Sequence, residues 1–186
     1  MRNLAGKHGA LLLLLTLSPG CYKWHSDSSG AAGLKTLGSA QADFHANDRD
    51  EDKTENFWVK DVAGLYGLDP GKGPIKLIDI SCAQADRTPR RGRYASLGVE
   101  KPYVENYYFA ALKSYRESGK SLAYDDGTGR NPSRYGIVAF PAEYADTSKL
   151  TFIINEKNIL FSKDTQGKPP DEFPEDPLKE GWTLFN

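Results

Sequence analysis

Asp48, Asp50 and Asp52 stand at alternate positions in the run NDRDEDKTEN, and Asn56 occupies the ninth place counted from Asp48. Calcium takes about six to eight oxygen ligands, and alternating carboxylates in a tight loop converge on one centre. These four residues are therefore a calcium-site candidate. Two positions depart from a complete EF-hand-like loop: Lys53 stands where the turn glycine belongs, and Val59 where the bidentate glutamate belongs. The same residues also read as a solvated acidic loop following a helix.

Arg87, Arg90, Arg91 and Arg93 cluster in the Pro/Gly-containing connector DRTPRRGRY. Guanidinium forks suit phosphate or carboxylate, so the cluster is an anion-binding candidate, with a solvated charge run as its plainer reading. Tyr103, Tyr107, Tyr108 and Phe109 offer rings on which a sugar could stack. In a strand, however, Tyr107 and Phe109 share one face and Tyr108 takes the other, so at least one face belongs to a core. Asp125, Asp126 and Glu143 are carboxylates that no spacing assigns to a shared cleft.

Other catalytic engines are excluded by composition. Of three histidines, His8 and His25 lie near the N-terminus and only His45 belongs to the folded body, too few for an imidazole-based triad or a histidine-rich zinc site. Ser118-Gly119-Lys120-Ser121 imitates the end of a phosphate-binding loop, but Ser114 stands where that motif needs glycine, and the segment reads as a turn. Cys82 follows Ile75 and Ile78 at helical spacing and reads as a small buried apolar residue. These observations predict a protein that is not an enzyme and needs no cofactor beyond the calcium already considered.

The first twenty-one residues address location. Arg2, Lys7 and His8 make a short basic start, residues 10–17 form a leucine-rich apolar run, and Ser18-Pro19-Gly20 breaks it ahead of Cys21. That order is the one a secretion signal requires. The run is also shorter than the roughly 20 residues needed to cross a bilayer. Cys21 with Gly20 before it partly matches the box at which bacterial lipoproteins are lipidated. Ser18 sits where that box wants a branched apolar residue, with Leu17 one place early. The expectation is an exported protein, either periplasmic or extracellular or attached to the envelope through lipid on Cys21. Removing residues 1–20 takes away two basic residues and no acidic one, so a formal net charge of −1 becomes −3. Such a balance gives no reason to expect a nucleic-acid partner.

Stepping along the elements, residues 26–33 (SDSSGAAG) lack apolar periodicity, so 21–33 reads as a flexible tether and 34–186 as a single domain. In residues 34–46, Leu34, Leu37, Ala40 or Gln41, and Phe44 fall on one face of an amphipathic helix. FWVKDVAGLYGL suggests a second short helical or turn segment, stopped by Gly67 and the Asp69-Pro70-Gly71 turn. Residues 75–85 suggest a third helix, and the later half changes to strands. TFII and ILFS flank the polar connection Asn155-Glu156-Lys157-Asn158 and predict a β-hairpin. Helices first and strands after predict an α+β fold, with the N-terminal amphipathic helix packed on an antiparallel β-meander.

The segments SAQADFHANDRD, FWVKDVAGLYGL, NYYFAALKSY and YGIVAFPAEYADTSKLTFIINEKNILFSKD, in this order, resemble a family of secreted bacterial proteins of unknown function. The likeness covers about residues 34–186. The helix-then-meander layout also looks like the globular head of type IV pilins and type II secretion pseudopilins. The chain lacks their processing motif and long apolar filament helix. The resemblance implies a pilin-like head but supplies no activity. The resulting expectation is a structural or interaction role in the cell envelope with a protein or glycan partner. The alternative is a secreted binding module for glycan or another anionic polymer.

Overall fold

The computed structural model describes residues 23–89, 94 and 97–186. The signal-like segment, Cys21, and Arg90, Arg91 and Arg93 lie outside the described residues.

A long helix, α1 (Lys23–Ala46), opens the chain. Its buried side chains Ala31, Leu34, Leu37, Gln41 and Phe44 recur at helical spacing and form one face. That face lies against the main sheet, which has the order β10-β8-β7-β6-β2. These strands are β2 (Tyr107–Ala111), β6 (Gly136–Pro141), β7 (Leu150–Asn155), β8 (Phe161–Asp164) and β10 (Thr183–Leu184). All of their pairings are antiparallel. The register sets Phe109 opposite Ala139 and Ala139 opposite Phe152, so these side chains line the surface that α1 covers. Ile153 points the other way and is equally buried, which makes β7 apolar on both faces.

The stretch 26–33, read from sequence as a tether, is helix. Gly30 and Gly33 let the backbone close onto aromatic rings: a Cβ at Gly30 would sit 2.7 Å from Tyr107 Cε1, and one at Gly33 would strike the Phe109 ring. The segment is also tied by side chains. Tyr107 Oη donates to Ser148 Oγ at 2.8 Å, and Ser148 Oγ in turn donates to the Asp27 carboxylate.

The α+β expectation of a helix on a single meander, with its pilin-like head, is corrected by the strand inventory. Among the described residues the fold is mostly β, with ten strands distributed over three sheets. Among the described residues, only α2 (Gly64–Gly67) and α3 (Ile80–Gln84) are helical beyond α1, each about one turn. Gly64, Gly67, Asp69-Pro70-Gly71 and Gly73-Pro74 punctuate this stretch too densely for longer helices. A two-stranded sheet pairs β1 (Phe57–Trp58) with β5 (Arg130–Asn131). A third sheet pairs β3 (Ser114–Glu117) with β4 (Lys120–Ala123) as a hairpin and, in parallel, with β9 (Glu172–Phe173). Ser118 and Gly119 make the two-residue turn of that hairpin with φ of 51° and 73°, the left-handed pair that matches strand twist. Their backbone N–H groups donate to Glu175 of the Pro-rich tail at 2.8 and 3.0 Å.

Residues 85–88 run beside β2. Phe109 N donates to Ala85 O at 2.9 Å and Arg87 N to Phe109 O at 2.7 Å. The two outer margins of the main sheet are therefore formed by this segment and by the two-residue β10.

Candidate functional site

The acidic loop leaves the end of α1 under tight local control. Arg49 donates to both oxygens of Asp43, at 3.1 and 2.9 Å, and holds the Asp43 carboxyl below the usual carboxylate range. Asp48, Glu51 and Lys53 adopt left-handed φ values of 44°, 56° and 67°. The Asp48 carboxylate accepts the backbone N–H of Asp52 at 3.1 Å and of Lys53 at 3.0 Å, which curls the loop around it. Asp52 accepts from Thr54 N at 2.9 Å and from Asn56 Nδ2 at 3.1 and 3.3 Å.

This curl brings one oxygen from each of Asp48, Asp50 and Asp52 within 4.8 Å of one another. Asp50 turns inward until its side chain is 2% exposed. Its Oδ2 accepts from Arg130 Nε, which also lies 2.9 Å from Asp52 Oδ2. Arg130 comes from β5, where it is paired with Trp58, and its guanidinium stands 5.9 Å from the Trp58 ring. Two oxygens of the group, Asp50 Oδ1 and Asn56 Oδ1, are buried and accept no hydrogen bond. The loop thus gathers three carboxylates, one guanidinium and an amide, with two buried oxygens undonated.

A second carboxylate cluster lies nearby in sequence and is wired differently. Asp61 and Asp86 are 1% and 0% exposed. Asp61 Oδ1 accepts from Gly64 N at 2.7 Å and from Trp58 Nε1 at 3.1 Å, and the Tyr94 hydroxyl lies 3.2 Å from both Asp61 oxygens. Asp86 Oδ2 accepts from Val62 N and Ala63 N at 2.9 and 2.8 Å, and its Oδ1 from Thr88 N and Thr88 Oγ1 at 2.8 and 2.5 Å. Burial, reinforced by the charge of Asp61, raises the Asp86 carboxyl to about 6 against the pull of those donors. These two residues fix the start of α2 to the segment bordering the main sheet.

Arg87, the described member of the arginine cluster, reaches Glu100 at 3.1 Å and lies 4.6 Å over the Tyr108 ring. Tyr107 and Phe109 are fully buried and supply core, whereas Tyr103 and Tyr108 are half-buried. His45 packs on Phe57 with ring centroids 4.4 Å apart, its Nε2 3.3 Å from Pro132 O. Burial, then the charge of Asp79, pushes the Cys82 thiol up to about 12, which keeps it a thiol. Asp125 and Asp126 brace a turn, accepting from Gly127 N and Gly129 N and from Thr128 respectively. The structure brings Asp48, Asp50, Asp52 and Asn56 together.

Residues 32–173 match the family described as proteins of unknown function, DUF2950. The chain belongs to DUF2950. The matched span contains the acidic loop, Arg130 and both buried carboxylates, and it begins after Cys21. No curated protein and no solved structure matches the chain.

Sequence reading missed Arg130, Asp61 and Asp86. Arg130 carries no local signal, because it meets Asp50 across 80 residues. Asp86-x-Thr88 and Asp61-x-x-Gly64 do have the spacing of side chains that hydrogen-bond the backbone just ahead of them.

Proposed function

We propose that this DUF2950 protein is exported, attached to the cell envelope by lipid on Cys21, and works there by interaction rather than catalysis. The order of charge, apolar run and small residues before Cys21 supports export. The observation that carries the non-catalytic reading is the wiring of Asp86. Its carboxyl titrates near 6, where a general acid or base would. Yet four donors from Val62, Ala63 and Thr88 occupy its oxygens and its exposure is 0%, so a substrate has nothing to meet. Cys82 is buried in the core, and the half-buried His45 packs on Phe57.

Fractionation of cells producing the full chain tests this reading. The wild type is expected in the membrane fraction with a diacylglycerol adduct on its N-terminal cysteine by intact mass. Cys21→Ser is expected in the soluble fraction. A soluble wild type beginning at or near Cys21 with a free thiol rules out the anchor.

A further inference from the structure

We propose that Asp48, Asp50, Asp52 and Asn56 form a calcium-binding site. The carboxylates alone would be an ordinary acidic cluster. Two buried oxygens separate this loop from one. Asp50 Oδ1 and Asn56 Oδ1 are both shielded from solvent and lack a donor, although almost every buried polar atom in a folded protein has a partner. Asn56 is 3% exposed, and its Nδ2 donates to both Asp52 oxygens and to Thr54 O, which sets the amide against the carboxylate group. Leaving such oxygens undonated costs free energy unless something electropositive faces them.

Charge and chemistry identify the class of ligand. Arg130 balances one of the three carboxylates through its contacts to Asp50 and Asp52, which leaves two negative charges, the complement of one divalent cation. All the available donors are oxygens, with no thiolate or imidazole among them, so the site suits a hard cation rather than zinc. Four side-chain oxygens in a loop of left-handed turns leave several places for water and no rigid octahedron. Such a set favours calcium over magnesium, which demands closer geometry and gives up its water reluctantly. With only three carboxylates and one of them shared with Arg130, the affinity belongs with weak extracellular calcium modules, about 10⁻⁴–10⁻³ M. The proposal stands independently of lipidation at Cys21.

Calcium alone, titrated into the purified full-length protein, is the probe. Equilibrium dialysis should give one ion per chain, saturating near millimolar, with magnesium at least tenfold weaker. Terbium should bind in the same place and luminesce through Trp58, whose ring neighbours Arg130, and calcium should quench that signal. The double substitution Asp48→Asn with Asp52→Asn is expected to weaken binding at least tenfold with an unchanged far-ultraviolet dichroism spectrum. Asn56→Asp, which adds a charge at the undonated amide oxygen, is expected to tighten it about tenfold. Asp126→Asn, in a separate turn, should leave it unchanged. Absence of saturable calcium binding by the wild type overturns the site, and the buried oxygens then face water only. Equal affinity in the wild type, the double variant and Asn56→Asp places the ion elsewhere and overturns it as well.

Discussion

Two groups of carboxylates lie within forty residues of each other in this chain, and they solve the problem of buried negative charge in opposite ways. Asp61 and Asp86 are surrounded by backbone and side-chain N–H and O–H donors, with both Asp86 oxygens doubly engaged. Asp50 is nearly as deeply placed, yet it receives one guanidinium nitrogen and keeps Oδ1 undonated. If the proposed calcium site holds, burial and charge alone do not distinguish an architectural carboxylate from a ligand. The lone pairs left over do.

The sharpest way to break this comparison is to remove Asp86. Asp86→Ala strands the N–H groups of Val62, Ala63 and Thr88 in a dry interior, and should cost about 4 kcal/mol or more in urea denaturation. That is comparable to the roughly 3–5 kcal/mol expected for Phe152→Ala in the centre of the main sheet. Either loss threatens a domain whose total stability is about 5–15 kcal/mol. A variant Asp86→Ala that unfolds at the wild-type urea midpoint would contradict the architectural role.

The next effect is electrostatic. Because burial raises the folded Asp86 carboxyl to about 6, the folded state holds its proton more tightly than the unfolded chain does. The stabilising contribution is complete below the ordinary carboxylate range and is lost as pH rises through about 6. Relative to Asp86→Asn, which cannot titrate, the wild type should lose about 2 kcal/mol between pH 4 and pH 7. Paired melting curves at both pH values check the sign. A constant difference between the two proteins would show that the carboxyl is not displaced.

Arg130→Met sharpens the comparison from the other side. In chelator it should cost about 1–3 kcal/mol, since Asp50 then stays buried without its cation and the partly exposed arginine screens some of the loss. Millimolar calcium should restore part of that loss, whereas Asp86→Ala should not respond to calcium. The smallest effect is expected at His45→Ala, under about 1 kcal/mol, because one ring contact and one weak polar contact are removed at the rim. A larger loss would give the imidazole a role that its surroundings do not suggest.

The legible parts of the molecule were those governed by local periodicity. Leu34, Leu37 and Phe44 marked the buried face of α1, and TFII and ILFS marked the β7–β8 pair. Hydrophobic pattern did not reveal the glycine side of α1, because Gly30 and Gly33 contribute by being small beneath Tyr107 and Phe109, and a sequence of small polar residues looks like a linker. The β3–β4 hairpin was missed because β4 is exposed along its length and so carries no apolar alternation. The parallel pairing of β3 with β9 joins residues nearly sixty apart, beyond the reach of any local rule. The same divide runs through the candidate site. Spacing pointed to Asp48, Asp50, Asp52 and Asn56, while the arginine completing their charge balance arrives from β5 through tertiary folding alone.

The margins of the main sheet bear on whether another copy could add a strand to it. A long open strand offers a row of unpaired backbone groups onto which another chain can add. Here β2 is bordered by residues 85–88, whose side chains Asp86 and Thr88 turn inward to engage the backbone, and β8 is bordered by only Thr183 and Leu184. Such short, interrupted margins make poor templates. The apolar strands β6 and β7 can therefore be rich in isoleucine, valine and phenylalanine without inviting the chain-to-chain stacking that those residues would promote at an open rim.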